Sequence, residues 1–295
     1  MRTSRAVRLA AVAALLALAA GCSGNAADDG TPLDVNDAPA VTSKEQIVLP
    51  FDAYSLSTEQ DRLNLQAISM LLSQCGEKYG VPVQVPVGQN PALEELNARR
   101  YGIIDGRRAQ THGYRPELSS AETAPRNGWD PTPLQQAVLT GDVTGVTGAD
   151  LSAVPVGGCY AEVNAQLGGD EPSLVQDLGA GIYAEAEQDE RVQTTWQEWS
   201  DCMEEKGYEY SSPWEPNNAD WPTEVSGDEV RTAVDDVECR ERTNLVGVWM
   251  AVETALQREA VERNPEGFSA AKEWHETRVR SVSEALGATG GAGRG

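Results

Sequence analysis

One short pattern occurs twice in this chain, and it limits what the chain can fold into. In Cys75-Gly76-Glu77-Lys78-Tyr79-Gly80 and in Cys202-Met203-Glu204-Glu205-Lys206-Gly207, a cysteine is followed by four residues and a glycine. Ser73 corresponds to Ser200, Glu77 to Glu204 and Pro86 to Pro213, while Val81 and Val83 fall opposite Tyr208 and Tyr210. Each copy reads as a helix with Cys in its last turn, stopped by a glycine that can turn left-handed. An extended segment then alternates faces until Pro ends it. A further cysteine follows each copy on an expected helix, Cys159 after the first and Cys239 after the second. Four cysteines permit three pairings, and the duplication favours Cys75–Cys159 with Cys202–Cys239. A zinc site would need close pairs such as Cys-x-x-Cys, and the sequence has none.

The rest of the pattern is mostly helical. Ser57-Thr58-Glu59-Gln60 forms a capping box, after which Leu63, Ala67, Met70, Leu71 and Leu72 share a stripe up to Cys75. Asn90-Pro91 starts a short helix through Leu93 and Leu96 to Tyr101, and Asp130-Pro131 starts another that ends near Gly141. A helix is expected over Cys159 to Leu167. The signal from Ser173 to Lys206 is long, with a break near Gly179 or Asp189. A second capping box, Ser226 to Glu229, opens a helix that could reach Arg263, and Asn264-Pro265 caps the last, which ends around Leu286. The prolines of Val81-Pro82-Val83-Gln84-Val85-Pro86-Val87 confine it to an edge strand or a polyproline-like course. The expected fold is mainly α, in two related disulfide-stapled halves with minor extended segments. An N-terminal helical lobe covers residues 47–168 and a C-terminal lobe of long helices covers 169–286.

Arg2, Arg5 and Arg8 precede an apolar run from Leu9 to Ala20 that is too short to span a bilayer, so residues 1–21 read as an export signal. Leu18-Ala19-Ala20-Gly21-Cys22 resembles the lipobox of bacterial lipoproteins, although Ala19 stands where Leu usually does. The resemblance implies that Cys22 carries lipid and becomes the mature N-terminus. Residues 22–46 hold few large apolar side chains and read as a flexible tether; 287–295 read as a disordered Gly-rich tail. Trp199-Ser200-Asp201-Cys202-Met203, followed by Gly207-Tyr208, resembles the Cys-Met-x-x-x-Gly-aromatic signature of uncharacterised lipoproteins of high-GC Gram-positive bacteria. Cys75-Gly76 lacks the Met. This likeness implies an exported, disulfide-stapled protein anchored by lipid on the outer face of the cytoplasmic membrane. It brings no catalytic residues with it.

A net charge of −23, more negative once the three signal arginines are removed, repels nucleic acid and anionic headgroups. The membrane is therefore engaged only through the anchor. The two histidines, His112 and His275, have no nucleophile motif beside them, and phosphate-binding loops are missing. No cofactor or metal is expected. Among 46 acids some pair always suits glycoside cleavage, so carboxylates alone select nothing. Tyr208, Tyr210, Trp214 and Trp221 fall in a Pro- and Asn-rich stretch and form a candidate contact surface, unless the rings fold back over the helices of the second disulfide. The expected function is an extracytoplasmic binding or accessory protein. Its partner would be cell-wall material or an exported or membrane protein. The other readings are a cell-wall glycan hydrolase and a folding helper for exported proteins.

Overall fold

The computed structural model describes residues 37–86, 97–115, 129–147 and 150–291. Cys22, with residues 1–21 that read as an export signal, lies outside them. Ten α-helices follow one another among the described residues: α1 (Thr58–Lys78), α2 (Gly106–His112), α3 (Pro133–Thr140), α4 (Gly158–Gln166), α5 (Leu174–Glu187), α6 (Glu190–Glu205), α7 (Trp214–Asn217), α8 (Gly227–Thr243), α9 (Leu245–Arg263) and α10 (Pro265–Gly291). No strand occurs among them. Both disulfides are formed, Cys75–Cys159 and Cys202–Cys239, with Cα atoms 5.8 and 5.7 Å apart. Such bonds persist in oxidising, extracytoplasmic surroundings.

The repeated corner is the same in both copies down to its hydrogen bonds. Gly80 and Gly207 take φ of 72° and 92°. Val81 N donates to Gly76 O at 2.9 Å and Tyr208 N to Met203 O at 3.0 Å; Gly80 N donates to Glu77 O and Gly207 N to Glu204 O. The bonds that cap the last carbonyls are the six-to-one closure of a Schellman motif, which requires the left-handed glycine. After it Val81 and Val83 are buried while Pro82, Gln84 and Pro86 are exposed, so the alternation appears without a strand partner; Val87 lies outside the described residues. The duplication stops at the partner helix. Lys78 and Tyr79 bond Glu162, one turn after Cys159, whereas Lys206 and Tyr208 bond Asp235, one turn before Cys239.

Each disulfide centres a core. Around Cys75–Cys159 lie Leu71, Leu72, Val81, Val138, Leu139 and Leu167, with Val282 brought in from α10. Around Cys202–Cys239 the buried Trp249 is ringed by Tyr101, Tyr183, Trp196 and Trp214, at centroid distances of 5.3 to 5.8 Å. Aromatic pairs of this kind add about 0.5–1.5 kcal/mol each beyond their burial. Helix α1 packs on both α4 and α10, and α9 on α5 and α6, so the first and last helices are neighbours.

Of the two breaks the sequence allowed, the one at Asp189 occurs, where the Asp189 side chain accepts from Arg191 N, while Gly179 is internal to α5. Several boundaries differ from the sequence reading. Asn244, in left-handed conformation (φ 51°), divides the single helix expected from Ser226 to Arg263 into α8 and α9. The corner receives chain from the tether: Asn244 Nδ2 donates to Ala38 O, and Ala38 and Val41 are buried. The last residues of that tether thus belong to the core. Ser226 caps Glu229 N, but the Glu229 carboxylate does not close the box; it turns inward to Arg115. Residues 87–96 lie outside the described segments, and Asn97 to Tyr101, expected as helix, form turns instead. Their groups are drawn elsewhere: Asn97 Nδ2 donates to Asp52, Arg100 pairs with Glu253, and Tyr101 O accepts from Arg240. Helix α10 continues past Leu286 to Gly291.

Candidate functional site

The aromatic stretch after the second corner is packed inward. Tyr208 donates its hydroxyl to Asp235 at 2.8 Å and stacks on Tyr210 at 5.9 Å. Trp214 sets its edge against Trp249 and its Nε1–H on Glu187, and Trp221 stacks on Tyr114 with its Nε1–H on Pro216 O. All four rings are half-buried and their ring edges help close the core. The histidines stand apart from one another. His112 ends α2 against Thr111, and His275 lies beside Gln60.

The buried charges are arranged as closed groups. Asp236 accepts from Arg240 Nε (2.6 Å), Trp199 Nε1 (2.8 Å) and the Tyr114 hydroxyl (3.1 Å). Burial pushes its carboxyl up, while Arg240, Trp199 and Tyr114 pull against that. The remaining donors of Arg240 reach Tyr101 O and Pro213 O. Glu253 receives Arg100, the Tyr101 hydroxyl and Gln257 Nε2, and Glu229 receives Arg115, which also holds the carbonyls of Pro222 and Thr223. These groups satisfy each other and fix loops to helices, which is how a buried ion pair avoids a net cost. No three His, Cys, Asp or Glu side chains among the described residues stand together as metal ligands.

Two hollows remain. One, of about 410 Å³, is lined by Phe51, Asp52, Asn97, Arg100 and Tyr183 among others. Its polar atoms are largely spent on each other: Asp52 takes Asn97 Nδ2 and Leu49 N, and Arg100 takes Glu253 and lies 5.0 Å from the Tyr183 ring. The larger hollow, of about 750 Å³, opens between α1, α4 and α10. Small residues of α4 and its N-cap form part of its wall, between the larger Tyr160 and Asn164. Gly157, Ala161 and Ala165 fall at i, i+4 and i+8 and line it together, with Ile68 and Leu72 of α1 opposite. Tyr160, 43% exposed, lies among its lining residues.

Asn164, Asp170 and Arg278 also line this hollow, and they are wired together. Arg278 Nη2 donates to Asn164 Oδ1 (3.0 Å) and to Gly169 O (2.8 Å), while Asn164 Nδ2 donates to Asp170 Oδ1 (2.6 Å). Trp274, one turn before Arg278, donates Nε1–H to the same Gly169 carbonyl. The sequence reading named none of these residues. The small-residue spacing on α4 was a readable signal; Arg278 had none, because its setting depends on how α10 crosses α4. No family model, curated protein or solved structure matches the chain.

Proposed function

We propose that this chain is a lipid-anchored, extracytoplasmic binding protein, and that the hollow between α1, α4 and α10 holds its ligand. Cys22 joins it to the outer face of the cytoplasmic membrane, in the manner of the lipoproteins its signal resembles. No helix among the described residues is long and apolar enough to cross a membrane, so the lipid is the means of attachment in this reading. The hollow carries the proposal. Its volume lies in the range of small-molecule sites, about 300–1,000 Å³, and its lining mixes apolar wall with a few converging polar groups, as such sites do. The ligand comes from the envelope: cell-wall material or a molecule handed on by an exported or membrane protein.

The test is native mass spectrometry of the full chain isolated gently from its own membranes. The wild type should carry a small molecule that Ala165→Phe lacks, since Ala165 is an exposed position whose enlarged side chain fills the hollow. Identical masses of bound material in the two proteins would defeat the proposal.

A further inference from the structure

Two arginines among the described residues are buried, and they are treated differently. Arg240 meets the carboxylate of Asp236. Arg278, only 7% exposed, has no carboxylate at ion-pair distance among the described residues. Its Nη2 reaches neutral acceptors alone, and its Nε is buried without any hydrogen-bond partner. The guanidinium lies 5.2 Å from the Trp274 ring, a contact that softens the charge without balancing it. Burial pushes the Arg278 pKa down, with Glu171 and Asp170 opposing from a distance. Arginine nevertheless stays charged, and a desolvated cation without a counter-ion is costly to hold.

Asn164 explains why Asp170, which lines the same hollow, does not serve. Its carbonyl faces Arg278 and its amide faces Asp170, so a neutral group stands between the cation and a carboxylate that lines the same hollow. Exchanging those two side chains would build an internal ion pair with the same atoms. The chain instead leaves the cation facing the hollow.

We infer that the ligand brings the missing counter-ion: it is a small carboxylate on an apolar body. Its oxygens meet the Arg278 guanidinium, and its hydrocarbon lies over Ile68, Leu72, Ala161 and Ala165. A single negative charge suits the site better than a phosphate dianion, because there is one cation and the chain as a whole is strongly acidic, with Glu171 and Asp170 already acting on Arg278 from a distance. This rests on the hollow being the binding site. An apolar carboxylate could be a hydrocarbon acid or the end of a peptide, and both are tested.

The full chain in lipid nanodiscs is titrated calorimetrically with 4-phenylbutyrate, 4-phenylbutanol, 4-phenylbutylamine and N-acetylphenylalanine, with empty nanodiscs as the blank. The acid should bind about tenfold or more tightly than the alcohol, and the amine not at all. Binding of phenylbutyrate without N-acetylphenylalanine assigns a hydrocarbon acid, and the reverse a peptidic one. The double variant Asn164→Asp with Asp170→Asn preserves net charge and hydrogen bonds but gives Arg278 its own carboxylate. It should melt no lower than wild type and lose about tenfold or more in acid affinity. Equal binding of acid and alcohol, no binding of either acid, or an unweakened double variant would each overturn the inference. The binding reading itself fails separately, if Ala165→Phe leaves the co-isolated small molecule unchanged.

Discussion

Replacing Arg240 with Met should expose how the second core tolerates its buried charges. The substitution keeps an apolar stem of similar length but removes the partner of Asp236 and the donors of Tyr101 O and Pro213 O. Asp236 is fully buried, so without Arg240 it has to take up a proton to remain inside. From an ordinary value of 3.8, neutralising it at pH 7 costs about 4 kcal/mol, and the orphaned carbonyls add about 1 kcal/mol each. A loss of about 4–6 kcal/mol is a large part of a typical domain's stability. In the variant the folded-state pKa of Asp236 lies above its unfolded value. The stability it withholds is therefore fully restored below that unfolded value and is lost as pH rises. The cost at pH 5 should thus fall by about 2–3 kcal/mol relative to pH 7. In an Asp236→Asn background Arg240 is itself a buried cation without a counter-ion, so Arg240→Met relieves that penalty while it orphans the two carbonyls, and should cost less than about 2 kcal/mol. Urea unfolding followed by tryptophan fluorescence measures all four proteins at both pH values. A cost independent of pH, or equal in the two backgrounds, would refute the reasoning.

Changing Cys22 to Ser should release the protein from membranes or block processing of its precursor, as fractionation would report; unchanged retention with normal processing would exclude the anchor. Removing Cys75–Cys159 should cost up to about 4–5 kcal/mol and removing Cys202–Cys239 up to about 4, for closed loops of 84 and 37 residues. Thermal unfolding of Cys→Ala pairs tests this. Gly102→Ala should destabilise strongly, because φ is +87° and the new Cβ would stand 2.9 Å from Arg240 Nη1. Hydrogen bonds from Lys78 and then Tyr79 hold the Glu162 carboxyl below its usual value. That stabilisation is present above the ordinary glutamate range and is lost as pH falls through the depressed value. Acid unfolding of Lys78→Met should accordingly depend less steeply on pH below 4.5 than wild type does.

Local chemistry made much of the fold readable. The Ser57–Gln60 box, the αL stop at Gly141 and the paired Cys–Gly corners each follow from side chains within a few positions, and the corners in turn indicated the disulfide pairing. What escaped depends on distant chain. Nothing near Asn244 stops a helix until Ala38 arrives to take its amide, and nothing near Glu229 opposes a capping box except Arg115. The aromatics from Tyr208 to Trp221 had two equally local readings, and only Trp249 and Tyr114 decide between them. The hollow was legible in half. Gly157, Ala161 and Ala165 announce a row of small residues, but that Arg278 stands there bonded only to neutral acceptors follows from contacts between elements more than 100 residues apart.

The most direct test of the binding account is a crystal structure of the full chain as isolated from the envelope. The account predicts an ordered small molecule between Ala161, Ala165 and Ile68, with a polar end against the Arg278 guanidinium. A hollow holding only water, or a ligand lodged beside Asp52 and Arg100 instead, would contradict it.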